Sequence, residues 1–470
     1  MKLTKSKFRR FADCKNEFWL DHHFPEQAEP DSLEYQLRRE TGYEVERLAR
    51  TLPIFADPDG TRVAFGKDFE TDTLFAKADI IVTDPETGDI EIYEVKSGTK
   101  AKDDYKIDLA FQCFVAERSG YTVRNAYLIF INSQYLFDGE LDVGLLLTVS
   151  DETESVRELR SMIESETANA IAWLAQDEPI VELLDYCGEK LDCKAIRKAF
   201  ADIPEFNVSH IFNAHSKKLD GLLSQGIIRI TDIPADFAMT DRESAKVNVE
   251  RTGNVYLERD SIKEVIQGLN YPLHFLDYES FNPAVPKFVN TRPYQQMVFQ
   301  YSLHTIEKEG SELKHSFHLS RNDGRHPSEE IVERLYEDLN GRFGTVIIWS
   351  EGFEKTRNKE LGEMFPDYAA FLEEVNAAVY DIRKIFSKQL YMHPRFRGRD
   401  SIKVVLPVLS DLTYEGMAIA DGLTASIKWY HAATGRGTPE EREKTFQDLE
   451  AYCHLDTLAM VRIYEHLLTI

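Results

Sequence analysis

Cysteine is scarce, long apolar runs are missing, and positive charge falls well short of negative. The 5 cysteines among 470 residues (Cys14, Cys113, Cys187, Cys193 and Cys453) are odd in number and scattered. With no secretory signal, such a set argues against a disulfide scaffold. No apolar run reaches the roughly 18 residues of a membrane-crossing helix. The start, MKLTKSKFRRFADCKNEFWL, is basic but has no apolar signal core, so the cytoplasm is the expected location. No internal repeat or low-complexity segment occurs. Lys and Arg number 56 against 81 acids, a formal charge of −25. So acidic a chain is unsuited to coating nucleic acid nonspecifically. Phosphodiester chemistry is not thereby excluded, because metal ions turn acidic clusters into phosphate sites.

What is present is an ordinary globular composition, 43% apolar and 29% charged. At this length more than one core is expected. Periodicity weakens in DRESAKVNVERTGN, which sets an expected boundary between domains 1–245 and 256–470. In the first 50 residues, Phe8, Phe11, Phe18, Trp19 and Leu20 have the spacing of helical core positions. EYQLRRETGYEVERLAR (34–50) predicts one amphipathic helix interrupted near Gly42. MKLTKSKFRR (1–10) and HPRFRGRDSIK (393–403) mix basic and aromatic residues. Each reads either as a nucleic-acid contact or as a solvated charge run.

The most informative stretch is 77–112. IEIYEVKS (90–97) alternates and is rich in Ile, Tyr and Val, so it predicts a strand. Glu94 and Lys96 then share a face, while Tyr93 and Val95 point the other way. The turn DPETGD (84–89) reverses a preceding strand, AKADIIVT, and sets Asp79 beside Glu94. Two carboxylates and a lysine so placed suit phosphodiester hydrolysis. Hard oxygens hold Mg²⁺, which activates water and neutralises charge on phosphate. Lys96 orients or deprotonates that water, or stabilises the pentavalent state. The plainer reading is an exposed hairpin with ordinary charges.

The run Asp79…Glu94-Val95-Lys96, followed by Asp108 and Gln112 on the next predicted helix, resembles the PD-(D/E)xK core of Cas4- and RecB-type nucleases. The resemblance implies that Asp79, Glu94 and the Val95 carbonyl hold metal, and that Lys96 and Gln112 complete the site. Glu46, on the first long helix, stands where related nucleases carry a ligand; the solvated helix face is its preferred reading. Glu70 is an auxiliary candidate. Cas4-like and AddB-like nucleases also bind an iron–sulfur cluster with one N-terminal and three later cysteines. That layout implies Cys14, Cys187 and Cys193 as ligands, but the expected fourth cysteine is absent.

In the second half, HFLDYES (274–280) predicts a strand on which Asp277 and Glu279 share a face. DLEAYCHLDTLAMVRIYEHLL (448–468) has helical spacing that stacks Tyr452 and Asp456 four apart. Taken singly, these are surface acids and a core tyrosine. Together they resemble the DxE and YxxxD motifs of DnaQ-like DEDDy exonucleases, which are RNase H-like. There the tyrosine positions the attacking water, and the acids cage two Mg²⁺ ions about 3.5–4 Å apart. Between them, TVIIWSEGFEKTRNKEL (345–361) ends its motif in Phe353-Glu354 where Phe-Asp is usual, and Asp381 is the alternative acid. SIKVVLPVL (401–409) resembles the following Ser-x-Lys helix. The whole order is similar to the DUF2779 family, which couples both kinds of centre.

The expected fold is therefore α/β throughout. A restriction-endonuclease-like mixed sheet with a helical extension comes first, and an RNase H-like mixed sheet flanked by helices follows. The expected function is Mg²⁺- or Mn²⁺-dependent cleavage of DNA or RNA, at ends or single strands. The alternatives are an end-binding protein with one or both centres inactive, a nucleotide phosphodiesterase, and an assembly subunit whose acidic surface meets a basic partner.

Overall fold

Strands form where β-branched and aromatic residues alternate, and helices where apolar residues recur every three or four. The computed structural model describes residues 2–25, 32–188, 190–321, 325–339 and 341–470. The chain forms two compact units, Met1–Ile203 with Pro283–Tyr294, and Pro204–Asn282 with Gln295–Ile470.

Unit 1 holds β1 (Leu3–Thr4), β2 (Val63–Glu70), β3 (Leu74–Thr83), β4 (Ile90–Val95), β5 (Val123–Ile131) and β6 (Leu147–Asp151). β3 is the organising strand. β2 runs antiparallel along one edge of it. The other edge is shared by β1, parallel at Leu74 and Phe75, and β4, antiparallel at Ile80–Thr83. β4 and β5 are parallel and joined by the helix Asp103–Arg118, as a parallel pair requires. One face of the sheet buries Phe69, Ile92 and Leu128 with Phe8 and Phe111 of the helices. The other buries Ile80, Val82, Tyr93 and Ile129 with Ala284 and Val285. Each such large side chain contributes about 1.5–3 kcal/mol relative to exposure.

Unit 2 holds β7 (Tyr256–Leu257), β8 (Leu273–Phe281), β9 (Met297–Ile306), β10 (Lys314–Leu319), β11 (Thr345–Ile348), β12 (Val379–Asp381) and β13 (Tyr391–Met392). Its main sheet has the order β10-β9-β8-β11-β12, and β7 pairs with β13. β8, β9 and β10 are antiparallel, while β11 is parallel to both β8 and β12. β8 is buried on both faces. Phe275 packs with Val461 and Tyr464 of the C-terminal helix Pro439–Leu467. Leu276 and Tyr278 pack on the opposite side with Val332 and Leu335. Both halves are thus mixed sheets flanked by helices, as expected. Among the described residues, no helix is long and apolar enough to cross a membrane.

Four local expectations are corrected. The helix Leu33–Ala49 runs uninterrupted through Gly42, because a single glycine lowers helix stability without ending the helix. DRESAKVNVERTGN is a helix, Asp241–Thr252, closed by Gly253 at φ 66°. Its start carries a reciprocal cap between Thr240 and Glu243, and the compact units divide earlier, at Ile203 and Pro204. β9 and β10 were not expected as strands. Finally, Cys14 and Cys187 form a disulfide across 173 residues, Cα to Cα 5.8 Å.

Candidate metal centres

The β3–β4 ladder sets Ile80 opposite Tyr93 and Ile81 opposite Ile92. One step further along the same register, Asp79 meets Glu94. The Val95 N–H donates to Asp79 Oδ2 at 2.8 Å. Glu94 accepts from Lys96 Nζ at 2.8 Å and from Gln112 Nε2 at 2.6 Å. Lys96 also reaches Asp108 Oδ2 at 2.6 Å. Asp79, Glu94, Val95, Lys96, Asp108 and Gln112 therefore come together from two strands and one helix.

A further cation, Lys5, was not anticipated. Its Nζ lies 2.5 Å from Glu94 Oε1. The reason is topological: β1 stops beside Phe75, so the helix Lys5–Asp13 starts next to the gap between β1 and β4. The only local signal was the basic run at the start of the chain.

Burial, then the charge of Glu94, pushes the Asp79 carboxyl up to about 8. Burial also resists ionisation of Glu94, but Lys5 and Lys96 outweigh it and hold this carboxylate at about 2. Without a metal ion, Glu94 gives up its proton far more readily than Asp79 does. Glu46 adds to the negative field at Asp79, and it is paired with Arg50 at 2.5 Å. Asp108 Oδ1 and Gln112 Oε1 are buried without a hydrogen-bond donor. Buried lone pairs of this kind fit an oxygen-ligated cation.

The second centre is denser in charge. Asp277 and Glu279 leave β8 on the face of Phe275, toward the C-terminal helix. That helix begins at Thr438, whose hydroxyl accepts from the Glu441 N–H, and it buries Tyr452, Cys453 and Asp456 on one side. Asp277, Glu279 and Asp456 bring one carboxylate oxygen each within 4.8 Å of one another. Burial raises Asp277 and Glu279 well above the carboxylate range, and the neighbouring acids push them further. Asp456 is held to about 6, because hydrogen bonds from Tyr414 and Tyr452 and the charge of Lys403 offset part of its burial. The Tyr414 hydroxyl donates to Asp456 Oδ1 at 2.5 Å.

Glu354 stands where the sequence left two acids open. It is buried, its Oε2 has no hydrogen-bond partner, and its charge is felt by Asp277 and Glu279. Burial pushes its carboxyl up to about 8. Asp381 instead accepts from the Glu351 and Arg383 N–H groups at 3.2 and 3.0 Å. Lys403 Nζ sits 5.7 and 5.6 Å from the ring centres of Tyr414 and Tyr452. The Ser-x-Lys pattern marked its helix without marking the lysine as part of the site, and nothing local marked Tyr414. Clustered buried carboxylates with raised pKa values are candidates for a cation site. Mg²⁺ or Mn²⁺ suits this all-oxygen set.

The cysteine ligands do not assemble as the resemblance implied. Cys14 and Cys187 are joined to each other, beside Glu17, and Cys193 caps the helix Lys194–Ala199. Cys14, Glu17 and Cys187 each bring one donor atom within 4.8 Å of the other two. The pairing was invisible in sequence because helix packing, not spacing, brings the two segments together. The basic runs are also committed internally. Lys2, Arg9 and Arg10 contact Glu70, Asp104 and Glu17, while Arg397 and Arg399 contact Glu205.

Residues 274–401 match the model of a domain of unknown function. That model is DUF2779. The DUF2779 match takes in Asp277, Glu279, Glu354 and Asp381, and it stops before Lys403, Tyr414, Tyr452 and Asp456. Unit 1's centre lies outside it. Uncharacterized protein UU173 of Ureaplasma parvum is 26% identical over 211 residues, covering 40% of this chain and 30% of its own. Uncharacterized protein MG366 homolog of Mycoplasma pneumoniae is 24% identical over 281 residues, covering 53% and 40%. The matched stretch thus spans less than half of either relative.

Proposed function

We propose that the chain is a metal-dependent nuclease that hydrolyses phosphodiester bonds of DNA or RNA, with one centre in each unit. The observation that carries this reading is the convergence of Asp277, Glu279 and Asp456, joined by Glu354, in a buried cluster beside Tyr452 and Lys403. These acids would hold Mg²⁺ or Mn²⁺, and the bound ion supplies Lewis acidity and a more acidic water. The Tyr452 hydroxyl, hydrogen-bonded to Asp456, orients the attacking water. Lys403 offsets negative charge as it grows on the phosphate. In unit 1, Asp79, Glu94 and the Val95 main chain are the ligand set, and Lys96 is the cation nearest the scissile group.

The test is cleavage of end-labelled single- and double-stranded DNA, and of RNA, by the full chain with Mg²⁺ or Mn²⁺. Wild type is compared with Lys96→Ala and with Asp277→Ala plus Glu279→Ala. We expect each variant to lose at least ~100-fold of the activity that depends on its own centre. Wild type that cuts no polymer in either metal, or variants that cut as well as wild type, would overturn the assignment. Turnover of mononucleotides in place of polymers would point to a nucleotide phosphodiesterase.

A further inference from the structure

A second constellation of unit 2 takes no part in the carboxylate pocket. His304 on β9 and His315 on β10 are direct cross-strand partners. Their rings stack at 26° with centroids 4.4 Å apart. His454, from the C-terminal helix, sets its ring at 89° to His315, 4.4 Å away, and 4.8 Å from His304. One nitrogen of each ring lies within 4.8 Å of the other two.

The far sides of two rings are fixed. His304 Nδ1 is 2.8 Å from Thr457 Oγ1, and His315 Nε2 is 2.9 Å from Ser302 Oγ. The two hydroxyls bond each other at 2.7 Å. With those nitrogens directed at hydroxyls, His304 Nε2 and His315 Nδ1 are left as the lone-pair nitrogens. His454 Nδ1 stands 3.4 Å from both nitrogens of His315, and Nδ1 is the one without a hydroxyl partner. Three imidazoles, two of them oriented through their second nitrogen, form a donor set for zinc-like ions rather than Mg²⁺. The rings also grade from buried His304 through half-buried His454 to exposed His315, so a route from solvent exists.

We propose that His304, His315 and His454 bind a divalent transition ion of the zinc class, with a fourth position open to water. The ion ties the β9–β10 edge to the C-terminal helix, two residues from Asp456. The site is independent of the nuclease reading, since it needs no carboxylate and no phosphate ligand.

The test is zinc uptake by the full chain, dialysed against Zn²⁺ with excess Mg²⁺ and measured by mass spectrometry. Wild type should hold one equivalent more than His315→Ala and one more than His454→Ala, while Asp277→Asn should match wild type. His315 is exposed, so its substitution leaves the core intact, and circular dichroism checks that each variant is folded. Co²⁺ in place of Zn²⁺ should give the visible bands of a four-coordinate ion in wild type and lose them in His454→Ala. Equal zinc content in wild type and His315→Ala overturns the site and leaves the trio as packed neutral rings. Loss of the ion in Asp277→Asn alone overturns it as well, by placing that ion among the acids.

Discussion

Glu354 is the side chain on which burial and charge disagree most usefully. Folding raises its pKa from an ordinary glutamate value to about 8, so the folded chain binds this proton more tightly than the unfolded chain does. The resulting stability is complete below about pH 4.5 and is lost as pH climbs toward 8. Metal-free wild type should therefore weaken relative to Glu354→Gln over that window, by on the order of 4 kcal/mol at its upper end. Thermal melts in chelator at pH 5, 6, 7 and 8 check this, and added Mg²⁺ should narrow the gap. A difference that does not change with pH would remove Glu354 from the pocket. Lys5 offers a complementary test. Lys5→Ala leaves buried Glu94 with Lys96 alone, and it should cost about 1–3 kcal/mol in the denaturant midpoint. The contrast between these residues also shows what a sequence exposes. Asp79, Glu94 and Lys96 were legible because one hairpin places them. Lys5, Tyr414 and Lys403 were not: Lys5 reaches its acid through the path of the sheet, Tyr414 through a loop, and Lys403 from a helix distant in sequence from the acids.

At the scale of elements, the strands and helices that carry the acids were readable. β3, β4, β8, β11 and the C-terminal helix all have the expected period. β9 went unread although Gln300, Ser302 and His304 alternate with Phe299, Tyr301 and Leu303; all eight residues Met297–His304 are buried, so its polar face lies against protein and not solvent. Two histidines of the trio sit on that strand and its neighbour and the third on the C-terminal helix, which is why the sequence concealed it. Thr240-Asp241-Arg242-Glu243 was the opposite case, a capping signal present in the chain but overlooked because the helix behind it is mostly polar. Gly344 tests how the second sheet starts. A Cβ there would lie 2.1 Å from the Pro272 carbonyl oxygen and 2.5 Å from that of Asn270. Backbone atoms cannot turn aside as a side-chain tip can. Gly344→Ala should therefore cost about 1–3 kcal/mol or more, seen as a lower melting temperature. A variant as stable as wild type would mean that β8 and β11 do not start as closely packed as described.

For the whole molecule, the deciding quantity is the charge of −25 set against basic runs already paired with carboxylates. A net charge of this sign opposes the displacement of counterions from nucleic acid. On the proposed nuclease reading, binding would then depend on ions held by the acids. Fluorescence anisotropy with labelled single-stranded DNA should detect little binding in chelator at physiological salt. Binding should rise at least ~10-fold with Ca²⁺, an oxygen-seeking ion suited to the same carboxylates. Asp277→Asn plus Glu279→Gln and Asp79→Asn should each remove part of that gain, and together all of it. Tight metal-independent binding with a steep salt dependence would mean instead that a basic surface holds the strand and that the acids serve another purpose.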